Sequence, residues 1–64
     1  MLANIDAERK SLHLSAAALA RMLNISTRRL EKWINCTEAI PANKLIEMSH
    51  IFGGCSIDYL LKRN

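Results

Sequence analysis

The stretch Ser15-Ala16-Ala17-Ala18-Leu19-Ala20-Arg21-Met22-Leu23-Asn24-Ile25-Ser26-Thr27-Arg28-Arg29-Leu30-Glu31-Lys32-Trp33-Ile34-Asn35 decides the fold. It contains two short helical patterns. Each is opened by a serine whose hydroxyl can accept a hydrogen bond from an orphan amide of the first turn. An apolar residue precedes each serine, and another stands five positions after it: Leu14 with Leu19, and Ile25 with Leu30. That is the N′-to-N4 spacing of a hydrophobic staple, and it occurs twice. Only Asn24 and Ile25 remain between the first pattern and the second cap. Asparagine tolerates the left-handed geometry that a tight reversal needs. Small Ala20 lies on the apolar side of the first helix, where close approach of the second requires it. The spacing predicts two helices, over about 15–23 and about 26–35, joined by a tight turn: a helix-turn-helix.

The second of these helices is strongly two-faced. At about 100° per residue, with Thr27 at zero, Glu31, Asn35, Arg28 and Lys32 fall within roughly the next 140°, whereas Trp33, Leu30 and Ile34 occupy roughly 240–340°. One face is apolar and predicts burial; the other carries hydrogen-bonding groups and two cations. A polar face needs no partner beyond water. Arg28 and Arg29, however, stand in the first turn, where the helix dipole disfavours cations. A polyanionic partner would relieve that placement, so the pattern favours DNA over simple solvation.

With 64 residues, half of them apolar, the chain predicts one small folded domain over 1–64 rather than a disordered segment. A domain near this size buries only about 60% of its unfolded surface, so the core must be tight and pairing with a second copy is a natural support. The formal net charge of +3 and a pI of about 9.2 permit a nucleic-acid partner without demanding one. No apolar run approaches the roughly 18 residues that span a bilayer, and no signal-peptide core opens the chain. The expectation is a cytoplasmic protein with no membrane partner.

Cys36 and Cys55 form no close-spaced pair, and a reducing cytosol disfavours a disulfide between them. Together with His13 and His50 they would make four zinc ligands, but the short Cys and His spacings of zinc sites are missing. Free thiols and ordinary packing or surface histidines are expected, with no metal and no other cofactor. There is no Ser/His/Asp cluster, no glycine-rich phosphate loop and too little volume for a pocket. Neither an enzyme nor a small-molecule binder is expected.

Elsewhere the chain reads as three more short helices. Asn4 is the candidate cap of a first helix to about His13, with Met1, Ile5 and Leu12 as its apolar stripe. Asp6 and Glu8 early, and Arg9 and Lys10 late, complement its dipole. Thr37-Glu38-Ala39-Ile40 is a loop, and Pro41 suits the first turn of a helix running to about Phe52. Leu45, Met48, Ser49 and Phe52 form its inward stripe. Gly53-Gly54 end it. Ser56 caps a last helix from Ile57 to about Lys62. Ile57, Tyr59, Leu60 and Leu61 crowd one and a half turns and cannot all face inward, so this helix and Cys55 before it are assigned to a dimer contact.

From Ile5 to Leu61 the chain resembles the Cro/repressor-headpiece, or XRE, family of phage and bacterial regulators. The motifs that carry the likeness are Leu14-Ser15, Leu19-Ala20, Leu23-Asn24-Ile25-Ser26, Leu30 with Trp33, Ile40-Pro41, Lys44-Leu45-Ile46 and Ser56-Ile57-Asp58-Tyr59-Leu60-Leu61. The resemblance implies an all-α, compact five-helix domain of the phage-repressor type. It further implies sequence-specific binding of double-stranded DNA, as a homodimer, with helix 26–35 as the recognition helix in the major groove. Carried onto this chain, Thr27, Arg28, Glu31 and Lys32 meet base edges. Ser15, Ala16, Ser26, Arg29, Asn35 and Lys44 meet phosphate. Cys55, Ile57, Tyr59 and Leu61 meet the second copy.

Several positions depart from the family pattern. Ala16 replaces a common glutamine. His13, Asn24 and Cys36 stand where the family often has glycine, and left-handed geometry at Cys36 would be strained. Ile34 occupies the place of an acid that commonly pairs with an arginine such as Arg9, so that ion pair is absent. The loop Thr37–Ile40 carries no cation. These departures sustain a second reading, an antirepressor or accessory subunit that keeps the fold but docks another regulator.

Overall fold

Five helices run through residues 1–63, which the computed structural model describes: α1 (Ala3–Ser11), α2 (Ala16–Met22), α3 (Thr27–Ile34), α4 (Ala42–Ile51) and α5 (Ile57–Leu60). No strand occurs among the described residues. Both expected serine caps form. Ser15 Oγ accepts from Ala18 N at 3.0 Å and Ser26 Oγ from Arg29 N at 3.1 Å. Ser56 does the same for Tyr59 N at 3.1 Å. A cap of this kind stabilises by about 1 kcal/mol, which matters for helices of one to three turns that do not stand alone in water.

The first four helices all stop by the same device. The residue after each C-cap turns left-handed: His13 (φ 56°), Asn24 (φ 60°), Cys36 (φ 62°) and Gly53 (φ 79°). At His13 and Leu14 the amides return to Lys10 O and Arg9 O, at 3.0 and 3.1 Å. The pairs Asn24/Ile25, Cys36/Thr37 and Gly53/Gly54 repeat that pattern, so each is a Schellman closure that satisfies otherwise orphan carbonyls. Three of these four left-handed residues carry a Cβ, which costs about 1–2 kcal/mol in this region and less at Asn24, since asparagine visits it more readily. They are the positions at which the resemblance expects glycine.

The core is built from the stripe that the sequence assigns to α3. Leu30, Trp33 and Ile34 are buried in one cluster with Leu19 and Ala20 of α2 and Leu23 at its C-cap. Met48 of α4, Phe52 at its C-cap and Leu60 of α5 join the same cluster, and Leu45 is buried as well. α2 packs on α3, while α1 touches both α3 and α5 and α4 touches α5. Burying such side chains stabilises by roughly 1.5–3 kcal/mol apiece.

The first helix differs from its expected form. Asn4 is no cap: the helix begins at Ala3 behind Leu2 without a side-chain cap, and Asn4 Nδ2 instead donates to Tyr59 O at 2.8 Å. Met1 and Leu12 are exposed, whereas Leu2 is buried beside Ile5. The cause is at the two ends. Leu2 N donates to Ile34 O at 2.8 Å and pins the N-terminus to the end of α3. At the other end α1 stops at Ser11, and the turn at His13 carries Leu12 out of the stripe. Arg9 donates from Nη1 to Leu14 O at 2.7 Å and from Nε to Asp6 at 3.2 Å, which occupies it without the absent acid. α5 also ends early, at Leu60 rather than Lys62.

Candidate nucleic-acid interface

The interface is set by how α3 is held. Three apolar side chains anchor one side, and the opposite side presents Arg28, Glu31, Lys32 and Asn35, all exposed. Thr27, at the first helical position behind the Ser26 cap, is half-buried. The structure therefore brings Thr27, Arg28, Glu31 and Lys32 onto one open helix face, with Asn35 at its far end. Arg28 and Lys32 lie one turn apart, close enough for a guanidinium and an ammonium to address neighbouring base pairs. At the end of the helix Thr37 Oγ1 donates to Lys32 O at 3.1 Å, and Thr37 N to the same oxygen at 2.9 Å. That closure fixes the far end of the open face from behind.

The residues assigned to phosphate divide into two groups. Ser15 and Ser26 are exposed, Ala16 is half-buried, and both serine hydroxyls are engaged as caps. Arg29 is exposed, but its Nε lies 3.7 Å from Glu38 Oε1 in the loop after α3. Lys44 turns inward: its Nζ donates to Leu23 O at 2.7 Å and lies 3.2 Å from Glu47 Oε2. Both expected phosphate cations thus hold intramolecular partners, and only the Lys44–Glu47 pair, three residues apart on one helix, is visible as a local sequence pattern.

The assigned dimer residues lie in and around α5, and Leu61 lines a cavity with Trp33, Thr37 and Glu38 at the end of α3. Ile57, Tyr59 and Leu61 are exposed at 37%, 37% and 40%, while Leu60 between them is buried. Cys55 is half-buried. Sequence reasoning missed Glu8, whose carboxylate ties this region together. Tyr59 OH donates to Glu8 Oε2 at 3.0 Å, and the Cys55 thiol lies 3.4 Å from Glu8 Oε1 and 3.5 Å from Phe52 O. The carboxylate's hydrogen bond, then desolvation, hold the Tyr59 phenol above its ordinary value. Desolvation first, and then Glu8, push the Cys55 thiol up in the same way. Both groups are neutral near pH 7, and among the described residues no three His, Cys, Asp or Glu side chains are grouped to hold a metal.

Among the described residues no helix is long and apolar enough to cross a membrane. A family model described as Helix-turn-helix matches residues 5–60. No curated protein and no solved structure shows a significant match.

Proposed function

This chain belongs to the XRE-type helix-turn-helix family of DNA-binding regulators, and on that premise we propose that it reads a specific duplex sequence as a small homodimeric repressor in the cytoplasm. The observation that carries this reading is the exposed face of α3, where Arg28, Glu31, Lys32 and Asn35 stand clear while Leu30, Trp33 and Ile34 anchor the helix from behind. In the major groove, Arg28 and Lys32 donate to guanine O6 and N7 and Glu31 accepts from a cytosine amine. Thr27 touches a thymine methyl. The first turns of α2 and α3, at Ser15, Ala16 and Ser26, set the register on phosphate with Arg29 and Asn35. A second copy docks on Ile57, Tyr59 and Leu61, next to Cys55, and doubles the contact with a two-fold operator.

The test is titration of the chain with random duplex across a salt series, followed by selection of bound duplex from a random pool. Binding that weakens steadily with salt marks phosphate contact, and an enriched motif with two-fold symmetry marks sequence reading by a dimer. Salt-independent or absent duplex binding overturns the reading. The second reading, a module that keeps the fold and docks another regulator, is favoured by one observation, the Glu38 carboxylate beside Arg29 at the edge of the reading face. It predicts no enrichment in the same experiment.

A further inference from the structure

We infer that Lys44 is a positioning residue that locks the turn between α2 and α3, and not a phosphate ligand. The inference rests on the DNA-binding reading only for its consequence, because the lock itself is a matter of geometry. Leu23 is the C-cap of α2, and its carbonyl shares one peptide plane with the amide of Asn24. That amide donates to Arg21 O at 3.0 Å, and the carbonyl on the other side of the plane accepts from Lys44 Nζ at 2.7 Å. The plane is held at both edges, just where the chain turns left-handed at Asn24 (φ 60°).

Electrostatics favour this pose. A cation in the first turn of α4 is misplaced with respect to its own helix dipole. Directed at the last carbonyls of α2, it meets the negative end of another. Glu47, one turn along α4, lies 3.2 Å from the same nitrogen and holds it there, and the Lys44 side chain is only 21% exposed. The contact joins residues 21 apart in sequence and fastens α4 to the turn that sets the departure angle of α3. The angle decides whether Arg28 and Lys32 reach base edges together, so loss of the lock blurs sequence preference more than it weakens attraction to phosphate.

The experiment has two arms. In the first, the unmodified chain is acylated with acetic anhydride, and the reaction is followed residue by residue by mass spectrometry. Lys44 reacts several times more slowly than exposed Lys10, Lys32 and Lys62; equal reactivity overturns the lock, and no variant has to fold for this arm. In the second, Lys44→Met and Lys44→Arg are titrated with a selected and a random duplex across salt. Lys44→Met lowers the preference for the selected duplex roughly fivefold with an unchanged salt slope, and Lys44→Arg restores it. A slope shallower by about one with preference intact marks a phosphate contact instead and overturns the inference. Should the unmodified chain bind no duplex, the DNA reading alone fails. Amide exchange then judges the lock: Lys44→Met speeds exchange at Asn24 and Ile25 relative to Ala18 and Arg29, and uniform exchange overturns it.

Discussion

Glu38 holds Oε1 3.7 Å from Nε of Arg29, so the one acid of the loop after α3 lies against a cation at the start of the reading helix. Both side chains are substantially exposed, and a pair of this kind contributes about 0–1 kcal/mol to stability. Its consequence is for binding, because a carboxylate beside the helix repels phosphate and occupies the guanidinium. Glu38→Gln is expected to fold as well as the original chain and to bind duplex more tightly. The salt slope should steepen by roughly one, the signature of one further phosphate contact. A titration showing unchanged affinity and slope would remove Arg29 from the phosphate set.

Among the described residues Arg28 meets no intramolecular partner to compete with a base, unlike Arg29, and it is exposed on the open face. Arg28→Ala should weaken binding to the selected duplex by about 1–3 kcal/mol and relax preference at one base pair. Binding to random duplex should change far less. The measurement is a competition between a selected duplex and its single-base variants, and an unaltered ranking would reassign the residue.

Three non-glycine residues carry left-handed backbone, and their side chains differ in what they give back. His13 is exposed, so a glycine there relieves strain without loss of packing. The relief of about 1–2 kcal/mol, less about 0.4–1 kcal/mol for the freer unfolded chain, leaves a net gain for His13→Gly of roughly 0–1.6 kcal/mol in urea unfolding. Asn24→Gly should gain less, since asparagine already tolerates the conformation. Cys36→Gly also forfeits contact with the core that the half-buried thiol side chain makes. A destabilised His13→Gly would contradict the account of these turns.

Stability should fall on the alkaline side, and Glu8 should set where. The Cys55 and Tyr59 acids have ordinary values of 9.0 and 10.0, and the folded chain holds both higher. A raised acid favours the folded state fully below its unfolded value, and that contribution is lost as pH climbs through the folded one. The expected window of loss therefore opens above pH 9 and extends beyond pH 10. Tyr59 is the single tyrosine, so its phenolate absorbance reports directly. In Glu8→Gln the absorbance midpoint should move down toward the ordinary value and the alkaline loss should shrink; an unmoved midpoint would discount the Glu8 contact.

Much of the fold was legible because its signals are short. The Ser15 and Ser26 caps, the staples around them and the apolar stripe of α3 each lie within a few residues, and caps and stripe form as the sequence predicts. The first helix departs from its local pattern for a physical reason. Ile5 and Leu12 stand one heptad apart with Met1 a turn before Ile5, a spacing that selects Met1, but the burial of Leu2 is decided by its amide bonding to Ile34 O across the domain. Helix existence followed from local pattern, whereas the choice between Leu2 and Met1 did not.

By itself the sequence determined the two capped helices, the left-handed turn at Asn24 and the division of α3 into a buried and an open face. Each is fixed by groups close enough along the chain to meet before any tertiary contact exists. Only the tertiary structure decided which cations remain free on that face. Arg29 against Glu38, Lys44 against Leu23, and Glu8 against Cys55 and Tyr59 are pairings across turns and helices. The long side chains involved have reach enough for several partners, and the packing of the helices selects one.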